Sequence, residues 1–161
     1  MKEYTPLTDV APVLSILSKI SFLGAISDVQ RETIFRFFET GFFKKGEYIS
    51  RKGEQATHLY IIERGKVDLL VGDGDVTVKK REFNIGDCFG EAAMLSMVNN
   101  TASFMAAEDC HLIVLSRRSL NELRREDAAA FAVLIFNIAR ELARKLQYTD
   151  EMLLKHERHT S

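Results

Sequence analysis

Seven glycines fall between residues 46 and 90, at 46, 53, 65, 72, 74, 86 and 90. They divide this stretch into short runs rich in β-branched and aromatic residues. Val67, Leu69 and Val71 alternate with Lys66, Asp68 and Leu70, and Val76 and Val78 alternate with Thr77 and Lys79. Between those two runs lies Gly72-Asp73-Gly74-Asp75, a hairpin turn signal. Short strands punctuated in this way predict a barrel or jelly roll over residues 42–116.

Helical spacing brackets this β segment. Val10, Val13, Leu14, Leu17 and Ile20 recur at helical intervals near the start. A second helix is predicted from Ser27, with Gln30 completing a capping box and Val29, Ile34, Phe37 and Phe38 forming its apolar face. Gly41 is expected to end that helix in a left-handed cap. After the strands, Ser116 or Ser119 caps a short helix through Leu120 and Leu123. A long helix then runs from Asp127 to about Lys155, roughly 40 Å at 1.5 Å per residue. Its stripe is Phe131, Ile135, Ile138, Leu142, Leu146 and Leu153. A helix longer than the body beside it leaves part of such a stripe uncovered. A second copy of the chain is the simplest partner, and the chain's own barrel is the alternative.

Charge and chemistry narrow the function. The net charge of −1 gives no overall basic field to attract nucleic acid or an anionic membrane. After the long helix only Lys155–Ser161 remain, too few for a helix-turn-helix, so no nucleic-acid partner is expected. No membrane-length apolar run or signal peptide is present, which predicts a cytoplasmic protein with no membrane contact. Cys88 and Cys110 sit in apolar runs without a CxxC spacing and read as buried, reduced thiols. The four histidines form no cluster of metal-ligand spacing, and none of the common nucleophile or phosphate-loop motifs occurs. No enzyme, metal or cofactor is expected.

The segment most suggestive of a site is Phe89-Gly90-Glu91-Ala92-Ala93-Met94-Leu95. Gly90 permits close backbone approach, and the strong helix formers after it start a short helix whose first N–H groups are free for an anion or polar group. Glu91 stands ready to accept a hydrogen bond from a ligand hydroxyl such as a ribose 2′-OH.

Together with Gly46-Glu47-Tyr48-Ile49, Gly53, Leu59 to Val67 and Gly86-Asp87-Cys88-Phe89-Gly90-Glu91, this segment resembles the cyclic-nucleotide-binding domain of the catabolite activator type. The resemblance spans about residues 20–155. It implies an α+β fold: an eight-stranded, jelly-roll-like β-roll with N-terminal helices and a long C-terminal helix that forms a homodimer through residues 127–155. The three segments are 1–41, 42–116 and 117–161, all within one domain. Its ligand would be cyclic AMP or cyclic GMP, contacted by Phe89, Gly90, Glu91, Ala92 and Ala93. The stretch Ala143–Asp150 is similar to the family's dimer helix, which places Thr149 and Asp150 where a base edge is read.

One feature departs from the resemblance. The family carries an arginine nine or ten residues after its glutamate to pair with the cyclic phosphate. Here Asn100 and Thr101, followed by Ala102, occupy that place, and Ser96–Ala107 contain no arginine or lysine. Removing one partner of a buried charge pair costs about 2–5 kcal/mol, roughly 30- to 4,000-fold in affinity. The expectation is a regulatory domain that binds a cyclic nucleotide weakly or with altered specificity, signalling through helix rearrangement. The alternative is a degenerate fold that serves as a homodimeric interaction scaffold without nucleotide. In either case a separate effector protein is the expected output.

Overall fold

A computed structural model describes residues 2–73 and 76–160. The chain opens with a short strand, β1 (Thr5–Pro6), followed by a helix α1 (Ala11–Ser15) and two 3₁₀ turns at Leu17–Lys19 and Ser21–Leu23. Helix α2 (Asp28–Phe35) leads to strands β2 (Glu39–Phe43), β3 (Tyr48–Ser50), β4 (His58–Arg64), β5 (Val67–Asp73), β6 (Val76–Phe83) and β7 (Cys88–Phe89). A short helix α3 (Glu91–Ser96), strands β8 (Ser103–Ala106) and β9 (Cys110–Ser116), and helices α4 (Arg117–Glu126) and α5 (Ala128–Thr160) complete it. The strands form two antiparallel sheets, ordered β1-β2-β9-β4-β7 and β3-β8-β5-β6. This is the expected α+β architecture of a β-roll flanked by helices.

Two cores follow from strand alternation. On β4 and β9, Leu59, Ile61, Ile113 and Leu115 face the helices, whereas Tyr60, Ile62, Leu112 and Val114 face the opposite sheet. Both faces are covered, so these central strands are almost continuously apolar. The β5–β6 hairpin pairs as far as Asp73↔Val76, with a bulge between Leu69 and Leu70. Gly74 and Asp75 of its predicted turn lie outside the described residues.

Three local expectations are corrected. The first α-helix stops at Ser15, where Ile16 leaves the helical backbone at φ −110°, and the chain goes on as the two 3₁₀ turns. Beyond them the buried Asn137 amide of α5 donates to the carbonyls of Phe22 (3.1 Å) and Gly24 (2.9 Å) and holds this segment on α5. The capping box of α2 forms as predicted, but the helix ends at Phe35 and Val29 stays exposed. Gly41 is consequently no helix cap. It lies within β2, where a Cβ would come within 2.8 Å of the Tyr4 ring.

Helix α5 has 33 residues, about 50 Å at 1.5 Å per residue. Asp127 caps it by accepting from the Ala130 N–H at 2.9 Å. Its first half packs on the chain's own domain through Ala130, Leu134 and Ile138, with Phe131, Ile135 and Leu142 beside them. Its second half leaves Leu146, Tyr148, Met152, Leu153 and Leu154 exposed. The predicted stripe thus meets one of the two partners considered for it: residues 131–142 face the chain's own body, and Leu146 and Leu153 are exposed. No helix among the described residues is long and apolar enough to cross a membrane.

Candidate functional site

The turn from β7 into α3 depends on one glycine. Gly90 has φ of +84° and caps α3. A Cβ there would meet the His58 carbonyl oxygen at 2.7 Å and the Tyr60 ring at 3.3 Å, so only glycine lets β7 turn into α3 against β4. Phe89 points into the roll. Its ring stacks between Tyr60 (centroids 5.0 Å apart) and Phe104 (4.6 Å) and is fully buried. The space between the sheets is filled by aromatic side chains together with Ile49, Ile62, Val67, Leu112 and Val114, and open volume begins at Leu69 and Phe104, which border that core.

That volume is a cavity of about 570 Å³ between β5, α3 and residues 98–104. It brings together six of the predicted residues: Gly90, Ala92, Ala93, Asn100, Thr101 and Ala102. Leu69, Val71, Ser96, Val98 and Phe104 complete the wall. Among the described residues, no charged side chain lines it. The sequence reading missed these five, although the alternation along β5 had marked Leu69 and Val71 as one face.

Asn100 is 8% exposed. Its backbone is pinned, with its N–H donating to Glu54 O (2.8 Å) and its carbonyl accepting from Gly53 N–H (2.7 Å). Among the described residues, no group hydrogen-bonds its side-chain amide. Asn100 and Gly90 also border a second recess of about 330 Å³, which is polar, with Lys2, Tyr4, Ser50, Glu54, Gln55 and Tyr60 among its walls. There the Tyr4 and Tyr60 hydroxyls share a 2.9 Å hydrogen bond, Lys2 lies 3.7 Å from the Glu54 carboxylate, and burial followed by the nearby Lys2 charge lowers the His58 pKa. Asn100 is thus a neutral partition between an apolar cavity and a polar one.

Glu91 is placed differently from its neighbours. It is 3% exposed and absent from the cavity wall, although Gly90 and Ala92 on either side belong to it. Consecutive helical residues diverge by about 100°, which carries Glu91 round to the α5 side. There its Oε1 accepts from the Lys145 ammonium, and the same ammonium donates to the Cys88 carbonyl at 2.8 Å. Burial works against the Lys145 charge, but Cys88 and Glu91 outweigh it and hold its pKa above the ordinary lysine value. The sequence marks Lys145 only as part of a solvated basic face with Arg140 and Arg144; its pairing with Glu91, 54 residues away, was not legible there.

Thr149 and Asp150 are exposed on the distal part of α5 and do not border the cavity of their own chain. The Thr149 hydroxyl donates back to the Lys145 carbonyl at 3.0 Å. Cys88 and Cys110 are free and buried, and burial pushes the Cys88 thiol up to about 12. No group of three metal-ligating side chains occurs among the described residues.

Comparison with known proteins adds to this geometry. The family model of the cyclic nucleotide-binding domain matches residues 40–127. A cAMP-dependent protein kinase regulatory subunit from Colletotrichum orbiculare is 29% identical over 107 residues, which are 66% of this chain and 27% of that protein. The matched stretch is thus about a quarter of that relative's length. Among solved structures, the catabolite activator protein of Thermus thermophilus superposes with a TM-score of 0.72 at 25% identity, covering 83% of this chain and 61% of the other. The regulatory subunit of a cAMP-independent protein kinase A from Trypanosoma cruzi, described as bound to guanosine, gives 0.67 at 26% identity over 86% of this chain and 48% of the other.

Proposed function

Because this chain belongs to the cyclic nucleotide-binding domain family, we propose that it is a regulatory sensor whose cavity takes an uncharged, nucleoside-like ligand and binds cyclic AMP or cyclic GMP only weakly. The observation that carries this reading is the absence of charge on the cavity wall among the described residues. A cyclic phosphate is anionic, and Asn100 stands where the family's pairing arginine is expected. Asn100, Thr101 and Ser96 offer neutral donors and acceptors, which suit hydroxyl and amide groups. Leu69, Val71, Ala92 and Phe104 offer apolar surface for a base. The guanosine described on the Trypanosoma cruzi relative is a ligand of this kind.

The backbone at Gly90, Ala92 and Ala93 and the side chains of Asn100 and Thr101 make the contacts in this reading, with Ala102 shaping the wall and Phe89 fixing it from below. A second copy of the chain covers Leu146 and Leu153, which makes the working unit a homodimer. Thr149 and Asp150 then meet the ligand from the partner helix, or not at all. The output is a change in α5 that a separate effector protein reads.

Calorimetry with guanosine, adenosine, cyclic AMP and cyclic GMP tests the reading. The nucleosides are expected to bind at least about 30-fold more tightly than the corresponding cyclic nucleotides. Tighter binding of either cyclic nucleotide would overturn it.

A further inference from the structure

We infer that Arg117 is a positioning residue for the cavity: its guanidinium holds two of the cavity walls in place and joins them to α4. Arg117 is the first residue of α4 and is half-buried. Its Nη2 donates to the Met94 carbonyl at 2.9 Å and to the Ala56 carbonyl at 2.5 Å. Its backbone N–H donates to the Thr57 carbonyl at 2.8 Å. Among the described residues, no carboxylate pairs with it, and its Nε is buried without an acceptor. Two backbone carbonyls, rather than an ion pair, therefore set the direction of this guanidinium.

Each carbonyl belongs to one wall. Met94 stands in the last turns of α3, and the amide that would close a helical bond on its carbonyl, Val98 N–H, donates to Ala93 O at 3.3 Å instead. Arg117 supplies the missing donor and so fixes the end of the helix that carries Ala92, Ala93 and Ser96. Ala56 lies in the loop that holds the other wall. There Gly53 N–H donates to Asn100 O (2.7 Å), Asn100 N–H donates to Glu54 O (2.8 Å), and Gln55 forms a β-bridge with Asn99. Holding Ala56 and Thr57 thus holds the segment that carries Asn100 and Thr101. Hydrogen bonds from a charged donor are the stronger kind, so both attachments resist displacement. Beyond Arg117, Leu120 and Leu123 of α4 share a core with Leu134 and Ile138 of α5, so a shift of either wall is felt at the long helix.

Native-state amide exchange and calorimetry on the full chain test this. In Arg117→Met the amides of Met94 and Val98 on one wall, and of Gly53 and Asn100 on the other, should lose protection by at least about tenfold more than Gly46 and Ile62, which are bonded elsewhere. Arg117→Lys should restore part of that protection, since an ammonium keeps the charge and the donors; if Arg117→Met does not fold, Arg117→Lys against the unaltered chain is read by the same amides. Guanosine should bind Arg117→Met at least about threefold more weakly, because loosened walls are out of place part of the time. This calorimetric arm rests on the nucleoside reading above, whereas the exchange arm does not. Protection kept at either wall, or lost equally at Gly46 and Ile62, overturns the inference. Unchanged guanosine affinity in a variant whose walls have loosened overturns it too. An unaltered chain that fails to bind guanosine refutes the nucleoside reading instead, and exchange alone then decides the role of Arg117.

Discussion

Replacing Asn100 with arginine should convert a weak site for cyclic nucleotides into a strong one. The position is 8% exposed and borders the cavity, so a guanidinium placed there meets an anionic phosphate with little intervening water. Two unit charges about 4 Å apart interact by about 4 kcal/mol at an effective dielectric constant of 20. Against this stand the desolvation of the guanidinium and its lost rotamer freedom, together about 2 kcal/mol. The net gain of about 2 kcal/mol is roughly 30-fold in affinity for cyclic AMP and cyclic GMP. Guanosine and adenosine carry no phosphate and should gain nothing. Calorimetry on wild type and Asn100→Arg with all four compounds reads both effects. One competing placement has to be removed: the new side chain could turn into the polar recess toward Glu54, which also borders Asn100. The Asn100→Arg/Glu54→Gln variant eliminates that attraction. If a folded double variant binds cyclic nucleotides no better than wild type, or gains equally for nucleosides, the missing counter-charge is not what limits the site.

Three further outcomes are expected. Gly90→Ala forces a left-handed backbone on alanine and drives its Cβ to within 2.7 Å of the His58 carbonyl oxygen, so it should cost about 2 kcal/mol or more and lower Tm by about 5 °C in a thermal melt. Leu146→Asp together with Leu153→Asp should turn a dimer into a monomer in sedimentation equilibrium, since both side chains are about 60% exposed on the distal half of α5; a wild type that is monomeric at every concentration refutes the covered-stripe argument. Lys145 has a folded pKa above 10.5, so the stability it contributes is fully present below that pH and is lost as pH rises through the folded value; denaturant unfolding from pH 9 to 11.5 should show wild type losing stability relative to Glu91→Leu/Lys145→Met, in which that titration is removed.

Features set by short-range rules were legible in the sequence. The Ser27–Gln30 capping box, the β5–β6 hairpin and the start of α5 at Asp127 each depend on residues within a few positions of one another. The mistakes arose where a distant element decides the local conformation. Residues 10–20 keep helical spacing, yet the α-helix gives way after Ser15 to 3₁₀ turns, and the segment just beyond is held on α5 by the Asn137 amide. Gly41 looks like a helix terminator in isolation. What it serves is room for the Tyr4 ring, through a strand pairing invisible before β1 and β2 are known to meet.

The same distinction governs the site. Part of the cavity wall was readable, since the resemblance marks Gly90, Ala92, Ala93, Asn100 and Thr101, whereas Leu69, Val71, Ser96, Val98 and Phe104 carry no such mark. The direction of Glu91 was not readable, because it depends on an ammonium supplied 54 residues later. A motif specifies which residue types stand at a site, but whether a carboxylate there is available depends on what else lies within hydrogen-bonding reach. Here Glu91, which follows Phe89-Gly90, braces the start of α3 against α5 through its pair with Lys145. The pairing ties α3 to α5, so a movement of α3 must carry Lys145 with it or break the pair. The pair is one of the links between α3 and α5, beside the apolar core that Met94 shares with Leu134 and Ile138, and Glu91→Leu/Lys145→Met is expected to loosen the contact between the two helices, read as faster amide exchange in α3 in a domain that stays folded.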